Sequence, residues 1–255
     1  MDARKGGEAV KTVDKLRRLY SSQQVLYLPL YTIHEASRYL QVPENTIRAW
    51  VTGRAYPLRG GGRRRSNAVI ELPEPRQNLL SFVNLTEAHV LDALRRQYGV
   101  ALPQIRRAID YLHEKFPSPH PLVSHEMLTD GRSLFVEGAG VPREVINASR
   151  YGQLAIRDLV ELHLQRIEWD TDGFVLRLYP FTTKSRRPDE LKLVTMDPRV
   201  EFGKPVLSTS HVPTAVIADR FKAGESIDEL AEDYGEKPEH IQEAIRCELQ
   251  LPKAA

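Results

Sequence analysis

Residues 31–66, YTIHEASRYLQVPENTIRAWVTGRAYPLRGGGRRRS, contain the strongest structural signals in the chain. Thr32 followed by Glu35 is a capping-box pattern, which marks a helix start because each side chain satisfies a backbone N–H that has no helical partner. Apolar residues at helical spacing then give two predicted helices one buried face each: Ile33, Ala36 and Leu40, then Ile47, Trp50 and Val51. Two short helices joined by a tight turn predict a helix-turn-helix, whose second helix can enter a DNA major groove.

The segment after the second predicted helix is rich in arginine and glycine and holds no acid. Gly60, Gly61 and Gly62 lie between two short runs, Ala55–Leu58 and Ala68–Leu72, and predict the tip of a β-hairpin, or wing. Guanidinium groups suit phosphate because their planar fork of donors matches its oxygens. The helix pair alone would also fit any helical protein, but the wing favours DNA binding. Its arginines are Arg54, Arg59, Arg63, Arg64 and Arg65.

The same residues resemble a known DNA-binding family. The segments Tyr31–Ala36 and Thr46–Trp50, with Val42 between them, are similar to the opening of a MerR-like winged helix-turn-helix, and Gly99–Arg106 is similar to the helix pair behind that wing. Pro43 departs from the usual Ser or Thr cap, a cap that contributes about 1 kcal/mol. The resemblance implies double-stranded operator DNA as a partner. The residues expected to contact it are Asn45, Thr46, Arg48, Arg54, Tyr56, Arg59, Arg63, Arg64 and Arg65.

Charge is distributed unevenly along the 255 residues, although the formal net charge is only +2. Residues 1–70 carry 13 Lys and Arg against 5 Asp and Glu, a net charge of +8. Residues 225–251 carry 2 Lys and Arg against 9 Asp and Glu, a net charge of −7. A polyanion attracts the first segment and repels the second, so the two ends are expected to have different partners.

Composition and motifs give no support to an enzyme, a metal site or a cofactor. The eight histidines form no H-E-x-x-H motif, and no phosphate-binding glycine loop is present. The single cysteine, Cys247, excludes an internal disulfide and fits a reducing compartment. No apolar run approaches the 18 residues of a membrane span, and the polar N-terminus is not a signal peptide. We therefore expect a cytoplasmic protein that is not an enzyme.

Proline and glycine clusters divide the chain into a basic arm (1–26), a winged helix-turn-helix with a helical pair (27–116), a mixed α/β module (122–196) and a C-terminal domain (197–251). Asn84 is the predicted cap of the first paired helix, and Pro103 suits the first turn of the second. In the module, Leu128–Val136 and Gln165–Phe181 predict hairpins and Tyr151–Leu164 a helix. The predicted class is α+β, mainly α. The turn at residues 170–173 (DTDG) lacks the further ligands of a calcium loop.

The C-terminal segment carries a second resemblance. Gly203–Leu207, Ala223–Leu230 and Ala244-Ile245 look like the small helix-turn-helix-containing domain, of otherwise unknown function, found in VapB-like antitoxins. This chain has Thr209-Ser210-His211 where that family has Gly-Thr-Arg. From the residues themselves, Ser226 with Glu229 predicts a capping box, Gly235 a helix end and Pro238 the next helix start.

The two resemblances together imply an antitoxin that represses its own operon and neutralises a PIN-like ribonuclease toxin. An acidic helix pair would be repelled by phosphate, so residues 226–249 are assigned to protein contacts, although a purely solvated face also fits them. A homodimer held by residues 122–251 is expected. The alternative is a MerR-like transcription regulator with no toxin partner. The acidic residues expected to contact a protein partner are Asp228, Glu229, Glu232, Asp233 and Glu236.

Overall fold

The computed structural model describes residues 23–57, 61–97, 102–115, 118–123, 163–181 and 191–249. Within these ranges the chain forms seven α-helices and three two-stranded antiparallel sheets, which confirms the mainly α, α+β class. The helices are α1 (Ile33–Leu40), α2 (Glu44–Thr52), α3 (Phe82–Asp92), α4 (Leu102–Lys115), α5 (Thr214–Lys222), α6 (Ile227–Tyr234) and α7 (Pro238–Leu249). The strands are β1 (Ala55–Pro57), β2 (Arg63–Arg65), β3 (Ile167–Trp169), β4 (Val175–Leu178), β5 (Val194–Thr195) and β6 (Val206–Leu207).

Helices α1 and α2 form the predicted helix-turn-helix. The Thr32 hydroxyl accepts a bond from the Glu35 N–H, and the Glu35 carboxylate accepts one from the Thr32 N–H, so the capping box is confirmed. Gln41 ends α1 in the left-handed conformation at φ 54°, and buried Val42 fills the turn. Pro43 precedes α2 without a side-chain cap, as its sequence predicts.

The wing hairpin exists, but its second strand is not where the sequence predicts it. Strand β2 pairs with β1 in the register Ala55↔Arg65, so the prediction of Ala68–Leu72 as the second strand was wrong. The N–H groups of residues 69 and 70 instead donate to the carbonyl of Trp50 at 2.7 and 3.1 Å. Ile70 and Leu72 are buried there against the helices. Burying apolar side chains stabilises the fold because it removes them from water, whereas arginines can remain on an exposed strand.

Helix α3 lies at the centre of the larger core and is buried along its whole length. It begins one turn earlier than predicted, because Ser81 and not Asn84 is the cap. The Ser81 hydroxyl accepts from the Asn84 N–H, and Asn84 Oδ1 accepts from the Ser81 N–H, each at 3.2 Å. Both residue types serve in caps, and the apolar Phe82 decides between them by joining the core as the first helical residue.

The β3–β4 hairpin confirms the prediction for residues 165–181. Asp170 Oδ1 accepts from the N–H groups of Asp172 and Phe174, which makes the segment an ordinary turn. Buried Ile167 and Leu178 belong to one continuous core that begins at Val25 and ends at Met196. The core therefore crosses the proline cluster at residues 117–121, which separates the second and third predicted segments, and the domain limits remain a prediction.

Several predictions concern parts of the chain that lie outside the described residues. These are the basic arm up to residue 22, the hairpin Leu128–Val136 and the helix Tyr151–Leu164 up to residue 162. They stay predictions.

The C-terminal domain has its own small core, formed by β6 and helices α5 to α7. Ser226 and Glu229 make the predicted capping box at the start of α6, and Gly235 ends that helix in the left-handed conformation at φ 63°. Helix α7 begins at Pro238, also as predicted. Leu230 and Ile241 are fully buried between the helices, while the acidic residues are on the other face of α6.

Candidate nucleic-acid interface

The second helix of the helix-turn-helix presents a polar face to solvent. Ile47, Trp50 and Val51 are buried, which fixes the rotation of α2 about its axis. Asn45 and Arg48 lie three residues apart and are therefore neighbours on the opposite, exposed face. Thr46 is half-buried and is less available than the sequence suggested. Asn and Arg are the side chains that pair best with adenine and guanine edges, so this face can read bases.

The base of the wing is held against the end of α2. The Ser66 N–H donates to the Arg54 carbonyl at 2.9 Å, and the Arg54 N–H donates to the Ser66 hydroxyl at 3.1 Å. Arg65 Nη2 donates to the carbonyl of Thr52 at 2.8 Å, which satisfies a carbonyl at the helix C-terminus. Arg65 therefore braces the wing, a role that its sequence position did not reveal.

Arg48, Arg54 and Arg63 are exposed around this wing, and their guanidinium groups make no hydrogen bond to any residue that the structure describes. For Tyr56 and Arg64 the structure describes the backbone within β1 and β2, and Arg59 lies outside the described residues. The described arginines thus form a cationic surface beside the exposed face of α2.

Two acidic residues, Glu35 and Glu44, lie on the helix-turn-helix near this positive surface. Glu35 is bound within the capping box of α1, where its carboxylate also accepts from the Thr32 hydroxyl at 2.8 Å. Glu44, in the first turn of α2, lies with its Oε1 atom 2.6 Å from Nδ1 of His34. Both carboxylates keep their charge, but residues 44–66 hold six arginines against one acid, so the arginines dominate the potential that a DNA backbone would meet.

The helical pair supports the wing through a contact that sequence reasoning missed. Arg106 on α4 donates from Nη2 to the carbonyl of Asn67 at 2.7 Å. Asn67 follows directly after the hairpin, so α4 fixes the point at which the wing rejoins the core. No local pattern could reveal this contact, because it joins residues 39 positions apart.

Fewer acidic side chains are available for partner binding than the sequence predicts. Glu229 is engaged in the capping box, and the backbone N–H and hydroxyl of Ser226 lower its pKa. Asp233 accepts from Arg220 Nη2 at 2.5 Å. Asp228 and Glu232 are exposed one helical turn apart on α6 and make no ion pair with the described residues. These two are the carboxylates that a partner could reach directly.

Glu236 is not a surface carboxylate, because its side chain is only 4% exposed. It accepts a hydrogen bond from the Thr209 hydroxyl and lies 2.7 Å from His240 Nδ1. Burial acts to raise its pKa, but hydrogen bonds from Ser210, Thr209 and His240 outweigh burial and lower it. Thr209 and Ser210 stand where the related family has Gly-Thr, and here they hold this carboxylate. Glu236 thus ties α6 and α7 to the preceding loop.

Replacing Glu236 with glutamine is expected to lower the stability of the chain at pH 7 by about 1–3 kcal/mol, since it leaves buried partners poorly satisfied. A depressed folded-state pKa stabilises the fold above the unfolded-state value of 4.5. That contribution is lost as pH falls through the folded-state pKa, so the difference from wild type should shrink below pH 4.5. Urea unfolding between pH 7 and pH 3 measures it, with exposed Glu239→Gln as the control. A constant difference at every pH would contradict the prediction.

The described residues contain neither a candidate metal site nor a membrane-spanning helix. Within those ranges, no group of three or more His, Cys, Asp or Glu side chains is arranged to hold a metal ion. None of the helices described has both the length and the apolar content needed to cross a membrane.

Comparison with known protein families places matches at both ends of the chain. Residues 29–109 match a family described as "Putative DNA-binding HTH domain", and these residues include the helix-turn-helix, the wing and most of the helical pair. Residues 194–246 match a "Protein of unknown function (DUF433)" family, which covers the C-terminal domain. The DNA-binding match falls on the cationic surface, and the second match on the acidic one.

Two known proteins are similar over most of the chain. A Mycobacterium tuberculosis H37Rv protein named "Putative antitoxin VapB45" is 33% identical over 232 residues, which is 86% of this chain and 93% of that protein. The crystal structure of Rv2018 from Mycobacterium tuberculosis is 29% identical and has a TM-score of 0.58, over 86% of this chain and 98% of the crystallised one.

Proposed function

The chain belongs to the family of the VapB45 antitoxin, and we propose that it is the antitoxin of a toxin–antitoxin pair. In this proposal it binds operator DNA, represses its own operon and neutralises a PIN-like ribonuclease. The observation that carries the proposal is the exposed pair Asn45 and Arg48 on α2, beside the arginines of the wing. It acts as a regulator and not as an enzyme, and its place of action is the cytoplasm, where DNA and transcripts are accessible.

DNA binding would follow a winged, MerR-like mode. The exposed face of α2 enters the major groove, and the wing arginines contact phosphates or the adjacent minor groove. Arg54 and Arg63 are the best supported phosphate contacts, because both are exposed and neither is engaged within the described fold. Tyr56, Arg59 and Arg64 complete the proposed surface.

A homodimer is proposed, held by residues 122–251. MerR-like regulators dimerise through a long helix, but α4 has 14 residues and therefore spans only about 21 Å. Two reading helices must lie about 34 Å apart to contact half-sites on one side of DNA. The remaining part of the chain is therefore needed to set that distance.

Toxin neutralisation is assigned to the acidic face of α6. A PIN nuclease site is itself a cluster of carboxylates, which an acidic surface would avoid. The face around Asp228 and Glu232 would therefore dock on a basic rim that guides RNA and block substrate access from there. The basic arm of residues 1–20 is the competing segment, since its lysines and arginines could enter a carboxylate cluster directly.

Charge reversal of Asp228 and Glu232 to lysine in the full chain is expected to abolish capture of the toxin while operator binding is kept or improved. Each exposed carboxylate that meets a basic rim becomes a repulsive contact, and such juxtapositions cost several kcal/mol. The assay is pull-down of the nuclease encoded beside the gene, with rescue of growth on co-expression. The control is charge reversal of Glu201 and Glu239, which are exposed elsewhere on the chain.

If the Asp228 and Glu232 variant still neutralises the toxin and reversal of the arm residues does not, the arm is the neutralising segment. If wild-type protein binds operator DNA but no neighbouring nuclease, the chain is a transcription regulator without a toxin partner.

A further inference from the structure

The helix-turn-helix and the C-terminal domain are joined by an ion pair between residues 210 positions apart. Arg38 lies on α1 and Glu248 near the end of α7, and Nη2 of the arginine is 2.6 Å from Oε2 of the glutamate. The side chain of Glu248 is 6% exposed and that of Arg38 is 26% exposed. The other carboxylate oxygen, Oε1, accepts from the Thr214 hydroxyl at 2.6 Å. Both oxygens of Glu248 are therefore engaged, one by each domain.

Two further hydrogen bonds hold α1 at its ends. The buried hydroxyl of Tyr31, just before the helix, donates to the carbonyl of Gly203 at 2.9 Å. Gly203 has φ 77°, and a Cβ there would lie 2.0 Å from that hydroxyl, so the close approach requires glycine. Gln41, at the C-terminal end of α1, donates from Nε2 to the carbonyl of Phe181 at 3.2 Å. Contacts at the start, the last turn and the end leave α1 little freedom to move relative to the rest of the chain.

Burying an ion pair is costly because both charges lose their hydration, so such a pair adds little net stability compared with apolar packing. What it can supply is one defined arrangement, since any shift leaves a charge buried without its partner. Helix α1 packs directly on α2, the proposed reading helix. A groove-reading helix must be oriented precisely to place its side chains on base edges. A contact that fixes α1 therefore also fixes the surface that meets DNA.

We propose that Arg38 and Glu248 are positioning residues for DNA reading, and that the C-terminal domain is part of the DNA-reading unit in addition to its role in partner binding. This inference rests on the proposed operator binding. It implies that the C-terminal domain controls the affinity of a surface formed entirely by the N-terminal domain. A protein that docks on α6 or α7 can then alter operator affinity through this contact.

The test uses the full chain with Glu248→Ala. Electrostatics and positioning predict changes in operator affinity of opposite sign for this variant. Removing a negative charge from a DNA-binding protein should strengthen its attraction to a polyanion. Loss of a positioning contact should instead weaken operator binding, and we expect a Kd about tenfold higher, with an unchanged salt slope because no phosphate contact is lost. The matched control is Glu239→Ala, which removes the same charge from an exposed position on the same helix.

A second variant and a second measurement keep the test decisive. Arg38→Lys keeps the positive charge but loses the planar fork of donors, and it is used if Glu248→Ala does not fold. Amide hydrogen exchange without DNA should be faster across α1 in the variants and unchanged in Glu239→Ala.

A folded Glu248→Ala chain that binds operator DNA as tightly as wild type, or more tightly, overturns the inference. If the wild-type chain binds no operator, the proposed function fails, and hydrogen exchange across α1 alone then decides the positioning role. Unchanged exchange in that case overturns it as well.

Discussion

Changing Arg63, Arg64 and Arg65 together to alanine is expected to weaken operator binding roughly 30-fold at about 0.15 M salt. If the three side chains neutralise about two phosphates, the slope of log K against log salt becomes shallower by about 1.8, and the affinity falls by the corresponding power of the salt concentration. The measurement is fluorescence anisotropy with labelled operator DNA over a range of salt concentrations.

The control for the wing is replacement of Lys204, Lys222 and Lys237 with alanine, which removes the same three charges from exposed positions outside the helix-turn-helix. Arg63→Ala alone should flatten the slope by about 0.9, since the Arg63 guanidinium makes no hydrogen bond to the described residues and only its charge is lost. Arg65 also donates a hydrogen bond to the Thr52 carbonyl. Its single replacement should therefore lower operator affinity by more than the loss of one positive charge accounts for. A triple variant with an unchanged slope would remove the wing from the interface.

Replacing Gly53 with alanine is expected to destabilise the chain by about 3 kcal/mol and to abolish specific DNA binding. Gly53 joins α2 to the wing at φ 73° and ψ 177°, a conformation that is essentially restricted to glycine. A Cβ at this position would lie 2.0 Å from the carbonyl oxygen of Ser66, so the paired strand must move away. That movement breaks the bonds between Arg54 and Ser66 and displaces the wing. Thermal unfolding and operator titration measure the two effects.

Gly61→Ala separates backbone strain from steric overlap. Gly61 also has a positive φ, 85°, but a Cβ there meets no atom within 4 Å. Its replacement should cost about 1 kcal/mol and leave most DNA binding intact, because only the strain remains. If Gly53→Ala and Gly61→Ala lose the same stability and the same DNA affinity, steric overlap with Ser66 plays no part.

The sequence determined the elements whose signals lie within one or two helical turns. The capping boxes at Thr32 and Ser226, the end of α6 at Gly235 and the hairpin turn at residues 170–173 were all predicted correctly. These features depend on side chains that bond to backbone groups three or four residues away, so local sequence contains the whole interaction. The asymmetry of charge between the two ends was equally readable, because it is a property of composition.

How those elements combine depends on contacts between residues that are far apart in the chain. The partner of β1 proved to be the arginine run, because burial against the helices took Ile70 and Leu72 out of the predicted strand. Glu236 was predicted on the acidic surface but lies in a buried hydrogen-bond network, where Thr209 and His240 satisfy its carboxylate. The ion pair between Arg38 and Glu248 joins residues 210 positions apart. Such contacts depend on which surfaces meet when the chain packs, and packing is a property of the whole fold that no local pattern contains.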